Sequence, residues 1–147
     1  MVFAARALVD AERRDEADRV VDELALRERP EILLIAGTSV DVPSVLLELN
    51  RAEELVAATE RLASTTLWLD AALAYVGRDF VGGADVYARI GSLPDEAYAR
   101  LRAAEHLVGA GRRAEADIQL QTSLGFWRSV SATRYVREGG TLLAASA

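Results

Sequence analysis

The sequence contains no lysine and no cysteine, and all seventeen of its basic residues are arginine. Without lysine the chain cannot carry a Walker A phosphate loop, a Schiff-base lysine or a Ser–Lys catalytic pair. Without cysteine it has neither disulfides nor thiolate chemistry, so an intracellular, cytoplasmic setting is expected. These two absences exclude several classes of enzyme.

Long apolar runs, proline and aromatic residues are also scarce. The longest apolar run, Ile32 to Gly37, is far too short to cross a bilayer, and no signal peptide is expected after Met1. Three prolines, few aromatic residues and abundant alanine and leucine favour an all-α protein. A chain of 147 residues has the size of about one domain, so we predict a single helical-repeat domain over residues 1–147.

The last third of the chain predicts a helix hairpin. Ser92 is expected to cap the first helix, Pro94 suits its first turn, and glycine at Gly109 and Gly111 should end it. A second helix should start near Arg112. The predicted inward-facing residues are Ala97, Leu101, Ala104 and Val108 on the first helix and Ala116, Leu120, Leu124 and Trp127 on the second.

A third helix, Arg134 to Ala145, is expected to cover the open apolar end of this hairpin, as the terminal helix of a repeat stack must. Its predicted inward-facing residues are Tyr135, Val136, Leu142 and Leu143. Each glycine inside a helix costs roughly 1 kcal/mol relative to alanine. A fray or kink is therefore expected at Gly139-Gly140.

Upstream, the apolar spacing predicts more helices of the same kind, and Asn50 is expected in a left-handed turn. The helix that carries Trp68 should be capped by Ser64 or Thr65. A loop is expected from Gly37 to Asp41. The predicted helices are Val2 to Arg13, Glu16 to Leu26, Glu31 to Ala36, Ser44 to Leu49, Ala52 to Leu62, the Trp68 helix and Phe80 to Ile90.

Internal repetition supports this division into helix pairs. The run Arg13-Arg14-Asp15-Glu16-Ala17-Asp18 recurs as Arg112-Arg113-Ala114-Glu115-Ala116-Asp117, identical at five of six positions and 99 residues later. Gly77-Arg78 matches Gly111-Arg112 at an offset of 34. Spacing in multiples of about 33 to 34 residues is typical of tetratricopeptide-type helix pairs. We predict antiparallel helix pairs stacked as a tetratricopeptide-like α-solenoid with a C-terminal capping helix.

The residues also resemble a family. Gly77-Arg78-Asp79-Phe80, with Tyr87 further on, is similar to the turn and second helix of a tetratricopeptide repeat. The strongest resemblance covers Phe80 to Ala147 and is to the C-terminal end of large actinobacterial signalling ATPases. The runs that carry it are Ala97 to Glu105, Gly111 to Asp117, Phe126 to Val130, Ala132 to Glu138 and Leu142 to Ala147.

In that family a nucleotide-binding module, sometimes with a class III adenylate cyclase domain or a DNA-binding domain, precedes a tetratricopeptide-like tail. The resemblance therefore implies that this chain is such a tail. No cyclase or ATPase motif occurs in the sequence, so the resemblance carries neither activity to this chain.

Two candidate binding surfaces follow. The aromatic residues Trp68, Tyr87, Trp127 and Tyr135 can line a groove for a partner peptide, although each also suits a core. The arginines Arg112, Arg113 and Arg128 permit nucleic-acid or anion binding, with a solvated helix face as the competing interpretation. Net charge is −9 up to Glu96 and +3 from Ala97 onward; the acidic total of −6 does not favour nucleic acid.

His106 is the only histidine of the chain, and no second ligand stands at a suitable spacing. A structural role is therefore favoured over metal binding or acid–base catalysis, and no catalytic residue, cofactor or metal is expected. We predict a non-catalytic protein–protein interaction or regulatory module, with no membrane partner. The alternative is a nucleic-acid-binding regulator that uses the C-terminal arginines.

Overall fold

The computed structural model describes residues 2–35 and 39–146, except the side chains of Ile35 and Ser146. These residues form ten α-helices and no β-strand, and helix accounts for 76% of the chain. The predicted all-α class is confirmed, and the helices pack in adjacent pairs. The helices are α1 Val2–Asp10, α2 Arg14–Asp22, α3 Ile32–Ile35, α4 Asp41–Glu48, α5 Ala52–Glu60, α6 Leu67–Val76, α7 Phe80–Ile90, α8 Leu93–Gly109, α9 Arg113–Ser129 and α10 Thr133–Ser146.

The helix boundaries differ modestly from those predicted. The first two helices end earlier than expected, and α4 begins at Asp41, inside the predicted loop, because Pro43 falls in its first turn. The predicted end of the third helix at Ala36 and the predicted loop residues Gly37 and Thr38 lie outside the described residues.

Contacts divide the chain into two compact units, Met1–Arg78 and Asp79–Ala147, which we call unit 1 and unit 2. The single domain predicted from chain length stays a prediction. In unit 1, α1 packs on α2 and α4, and α4 packs on α5 and α6. Fully or nearly fully buried residues of its apolar core include Ala5, Ala17, Val21, Val45, Leu46, Leu55, Ala58, Leu69 and Ala72.

Unit 2 contains the predicted hairpin. Helix α8 packs on α7 and α9, and α10 packs chiefly on α9. The four residues predicted to face inward from the second helix of the hairpin are buried, and on α8 Leu101 and Ala104 are fully buried while Val108 is partly buried. The hairpin prediction is therefore confirmed in its helices and in its buried stripe.

The same turn, ending in an arginine, closes three helix hairpins, α1–α2, α4–α5 and α8–α9. In each turn one residue has a positive φ: Glu12 at 60°, Asn50 at 60° and Gly111 at 74°. The amide N–H of the arginine that follows donates to the carbonyl five residues earlier, at 2.9, 2.7 and 2.9 Å respectively. This is the Schellman arrangement, and the predicted left-handed roles of Asn50 and glycine are confirmed.

The arginine that follows each of these turns then binds the glutamate three residues later. Arg13 contacts Glu16 at 2.6 and 2.5 Å. Arg112 contacts Glu115 at 2.7 and 2.6 Å. Both contacts are bidentate, which is the strongest geometry for this pair. The repeated Arg-Arg-x-Glu-Ala-Asp run therefore marks a helix start, where the arginine side chain holds a carboxylate in the first turn.

Two predicted helix caps are wrong. Thr66, rather than Ser64 or Thr65, caps α6, since its side chain accepts a hydrogen bond of 3.2 Å from the Leu69 amide. Ser92 makes no side-chain hydrogen bond to the backbone of α8, because its hydroxyl donates to the Asp95 carboxylate instead. Ser64, Thr65 and Thr66 are adjacent, and only the backbone geometry decides which of them caps.

The predicted fray at Gly139-Gly140 is also wrong, since α10 continues unbroken through both glycines. Gly139 is buried, and a Cβ atom added to it would lie 2.6 Å from Cδ2 of Leu124 and 3.1 Å from its Cγ. At Gly140 an added Cβ would meet nothing within 4 Å. Gly139 therefore allows α10 to approach α9 closely, and packing compensates for its low helix propensity.

Candidate functional site

The six predicted binding residues do not form one surface. Trp68 is a partly buried residue of α6 in unit 1. Tyr87 is 0% exposed on α7 and belongs to the interior of unit 2. The other four residues lie at the two ends of α9, with Arg112 and Arg113 at its start and Trp127 and Arg128 at its end.

The two ends of α9 are far apart. At a rise of about 1.5 Å per residue, the backbone positions of Arg113 and Trp127 lie about 21 Å from each other. Arg112 holds Glu115, a contact that raises the pKa of the arginine and lowers the pKa of the glutamate. Arg113 donates a hydrogen bond to the backbone carbonyl of Ala145 on α10. Both arginines therefore already bind groups of their own unit.

Trp127 belongs to an aromatic cluster on α8, α9 and α10. Its ring stacks on Tyr135 with centroids 4.3 Å apart and planes inclined by 29°. Tyr98 meets Tyr135 edge to face at 5.9 Å, and Phe126 meets Trp127 at 4.9 Å. We call Tyr98, Phe126, Trp127 and Tyr135 the aromatic cluster. Such geometries are worth about 0.5–1.5 kcal/mol per pair beyond the area that they bury.

Two arginines border the aromatic cluster. Arg102 lies over the Tyr98 ring, with its guanidinium carbon 5.4 Å from the centroid, and Arg134 lies over the Tyr135 ring at 5.5 Å. Arg102 also divides its guanidinium between Glu105 of α8, at 2.8 Å, and Glu138 of α10. Arg102 thus connects α8 to α10 through its ion pair with Glu138, while its ring contact with Tyr98 stays within α8.

Three buried polar atoms of unit 2 have no hydrogen-bond partner within the described chain: Trp127 Nε1, Arg102 Nε and Asp117 Oδ1. Two of the three are donors, and both belong to residues that contact α10. A buried donor without an acceptor costs about 1–3 kcal/mol. Helix α10 therefore covers two hydrogen-bond donors of α8 and α9 without providing acceptors for them.

Arg100 forms a second polar centre on the other side of α8. Its guanidinium contacts Asp85 of α7 at 3.0 Å, Glu96 of α8 at 2.7 Å and the amide oxygen of Gln119 of α9 at 2.8 Å. The Arg100 side chain is only 14% exposed. One guanidinium thus binds groups from three helices, and this residue serves the alignment of the helices rather than a ligand.

In unit 1 the corresponding polar centre is Arg51, at the start of α5. It contacts Glu54 at 2.9 and 3.1 Å, and Asp22 of α2 at 2.7 Å. These carboxylates raise the pKa of Arg51. An open polar cleft of about 460 Å³ lies between the end of α2 and the start of α5, lined by Arg51, Glu54, Asp22, Arg27 and Glu28 among others. Arginine and carboxylate charges there largely neutralise one another.

His106 is exposed, and its ring meets Phe80 edge to face at 5.7 Å. Within residues 2–35 and 39–146, no three histidine, aspartate or glutamate side chains come together as a metal site. Among the described helices, none combines the length and hydropathy that a membrane crossing requires.

The sequence pattern did not single out Tyr98, Arg100, Arg102, Phe126 or Glu138. One signal was present, because Tyr98 and Arg102 stand four residues apart and so share a face of α8. Their partners on α10 lie more than thirty residues further along the chain. That pairing depends on how α10 packs, which the periodicity of α8 alone does not encode.

Comparison of the chain with protein-family models, with curated proteins and with solved structures returns no match.

Proposed function

We propose that this chain is a non-catalytic protein–protein interaction or regulatory module, built as a tetratricopeptide-like stack with α10 as its capping helix. In this proposal it is the tail of a larger signalling ATPase or transcriptional regulator of actinobacterial type, working in the cytoplasm. Its partner is a protein, or another domain of the parent protein. Binding acts through surface complementarity, with no bond made or broken.

The observation that carries this proposal is the row of helices α7 to α10 in unit 2. Each helix packs on the next, and the connections α7–α8, α8–α9 and α9–α10 are only two or three residues long. Rows of this kind present long faces made of side chains from several helices, which suit extended contact with another polypeptide. Exposed apolar side chains on unit 2 include Leu93, Ile118 and Val130.

The test is recovery of a partner by the full chain under defined conditions. The bait is the purified chain, and nuclease treatment removes nucleic acid before washing at 150 and 500 mM salt. We expect one or a few proteins at near-stoichiometric yield, cross-linked to residues of unit 2. A clean, monodisperse bait that recovers no protein in any such preparation would contradict the proposal.

The alternative, a nucleic-acid-binding regulator, predicts DNA or RNA affinity that falls steeply with salt. The matched variant replaces Arg112, Arg113 and Arg128 with alanine; all three are exposed. On the alternative, the triple variant loses nucleic-acid binding and flattens the salt dependence. Against this alternative, Arg112 is paired with Glu115, and unit 2 holds eight arginines and eight acidic residues.

A further inference from the structure

Helix α10 lies on α8 and α9 along a single stripe of its surface. Tyr135 and Leu142 pack against the core of unit 2, Glu138 meets Arg102, and Gly139 lies against Leu124. Near the end of the helix, the carbonyl of Ala145 accepts from Arg113. Tyr135, Glu138, Gly139 and Leu142 follow the spacing of one helical face. The surface beneath, which we call the α10 groove, consists of Tyr98, Arg102, Arg113, Leu120, Leu124 and Trp127.

The apolar residues of the α10 groove are more deeply buried than the apolar residues of α10 that cover them. On the groove side, Leu120 is 0% and Leu124 2% exposed. On α10, every apolar side chain that the structure describes is partly or fully exposed. The one buried residue among the described positions of α10 is Gly139, which has no side chain. Two consecutive glycines lower the helix propensity of α10. The turn before it places Ser131 at φ 56°, a conformation that non-glycine residues adopt at a cost.

The polar groups of the groove indicate what would fit it better. Trp127 is about nine-tenths buried, and its Nε1 donor has no acceptor; Arg102 Nε is a second such donor. Arg102 and Arg113 are the groove's cations, and each holds an oxygen of α10. Among the residues that the structure describes, the one buried acceptor without a partner is Asp117 Oδ1, also on α9. Glu105 of α8 already holds Arg102, whereas Arg113 meets a neutral backbone carbonyl. The two unpaired donors outnumber the one unpaired acceptor, so the complement carries carboxylates or amide oxygens.

We propose that the α10 groove is a docking site for an acidic amphipathic helix of a partner protein, and that α10 is its resident competitor. A partner helix with small residues where Gly139 lies and carboxylates facing Arg102 and Arg113 displaces α10 and gains the hydrogen bonds that α10 does not make. This inference rests on the proposed function, since it names the surface that binds and the chemistry of the partner.

The probe is a fluorescein-labelled peptide with the α10 sequence, residues 133–146, carrying Gly140→Ala to raise its helicity. Ala145→Glu adds a carboxylate next to the backbone carbonyl that Arg113 binds. Arg134→Gln and Arg137→Gln, both at exposed positions, make the peptide acidic overall. Its control has the same Gly140→Ala, Arg134→Gln and Arg137→Gln changes, with Glu138→Lys and Ala145→Lys in place of the two glutamates. The receptor is the full chain, unaltered or with Tyr135→Ala and Leu142→Ala, which loosen its own α10. Binding is followed by fluorescence anisotropy.

We expect the acidic peptide to bind the loosened chain at least about tenfold more tightly than the unaltered chain, because α10 competes for the site. The acidic peptide should also bind about tenfold more tightly than the lysine control. On the groove side, Arg102→Gln with Arg113→Gln should abolish that preference. Equal affinity for both receptors, or no preference for the acidic peptide, would overturn the inference.

Should the loosened chain fail to fold, hydrogen exchange on the unaltered chain gives the answer. Saturating acidic peptide should raise exchange of the α10 amides severalfold while the α8 and α9 amides stay protected. Unchanged α10 exchange sinks the inference. Failure of the proposed function looks different: the peptide displaces α10, yet no protein partner is recovered by the bait. Conversely, a recovered partner that cross-links away from the groove supports the function and overturns the docking site.

Discussion

The two units of this chain use the same turn with different helices. Apart from the four-residue α3, the helices of unit 1 are 8 to 10 residues long, whereas those of unit 2 are 11 to 17. Unit 1 holds nine arginines and fifteen acidic residues, and unit 2 holds eight of each. Turn chemistry is therefore constant, while helix length and charge vary.

The comparison also concerns where each unit places its polar centre. In unit 1, Arg51 stands at a helix start and binds carboxylates of α2 and α5. In unit 2, Arg100 and Arg102 stand inside α8 and reach the three helices around it. Helices of two to three turns are marginal alone and depend on tertiary contacts. The longer α8 offers two faces for such contacts, so one helix organises the whole unit.

The largest predicted effect tests whether the units unfold separately. Leu55 in unit 1 and Leu101 in unit 2 are both 0% exposed, so Leu→Ala at either should cost about 2–5 kcal/mol of unfolding free energy. Trp68 reports on unit 1 and Trp127 on unit 2, in single-tryptophan backgrounds. We expect Leu101→Ala to shift the denaturation midpoint of Trp127 fluorescence and to leave that of Trp68 in place.

The matched variant Leu55→Ala should do the reverse. If instead each substitution shifts both midpoints equally, the chain unfolds as one cooperative domain, as its length alone predicts. The two units would then be two densely packed regions of one domain that folds cooperatively, and not two independently folding domains.

The next effect compares adjacent glycines in α10. Gly139→Ala places a Cβ against Leu124 and should lower the unfolding free energy of unit 2 by about 1–3 kcal/mol through overpacking. Gly140→Ala meets no atom and should raise it by up to about 1 kcal/mol through helix propensity. Urea denaturation monitored at Trp127 measures both. We expect the two substitutions to change the unfolding free energy in opposite directions. If both alanines stabilise unit 2 instead, α10 does not approach α9 this closely.

The features of the fold that could be predicted from the sequence are those that depend on contacts between residues close together in the chain. Apolar spacing found the helices and the buried stripe of α8–α9, and Asn50 and Gly111 marked their turns, because three- and four-residue periodicity and left-handed backbone are properties of short segments. The Arg13 and Arg112 runs were recognised as a repeat, but their bidentate contacts with Glu16 and Glu115 required the helix start to be known first.

What the sequence missed came from distant segments. Helix propensity alone predicts that Gly139-Gly140 weakens α10. Propensity does not include the packing of Gly139 against Leu124 on the neighbouring helix. The same holds for the aromatic cluster, whose members Tyr98 and Tyr135 belong to helices separated by α9. One further miss was local: the choice of Thr66 over Ser64 or Thr65 as the cap depends on backbone angles that three adjacent hydroxyl residues leave open.

A smaller effect concerns the shared turn itself. Glu12 in unit 1 and Gly111 in unit 2 occupy equivalent left-handed positions, at φ 60° and 74°. Gly111→Ala should therefore cost unit 2 about 1–2 kcal/mol, while Glu12→Gly should relieve part of the same strain and stabilise unit 1 by less than about 1 kcal/mol. Thermal denaturation of the two variants measures the difference. A destabilising Glu12→Gly would show that the Glu12 side chain contributes more than its backbone costs.

The smallest effect is the pH dependence of the two arginine–glutamate contacts, one in each unit. Hydrogen bonding to arginine lowers the pKa of Glu16 and of Glu115 below the ordinary value of 4.5. A carboxylate whose pKa is lower in the folded state stabilises the protein fully above the unfolded pKa, and this contribution is lost as pH falls through the folded pKa.

Both contacts are solvent-exposed, so thermal denaturation will barely detect them. Carboxyl-carbon NMR titration should show both glutamates titrating below the ordinary value of 4.5. Arg13→Gln and Arg112→Gln should each restore the ordinary pKa only in its own unit. Titration of both glutamates at the ordinary value in the unaltered chain would mean that the shared turn does not hold its carboxylate in solution.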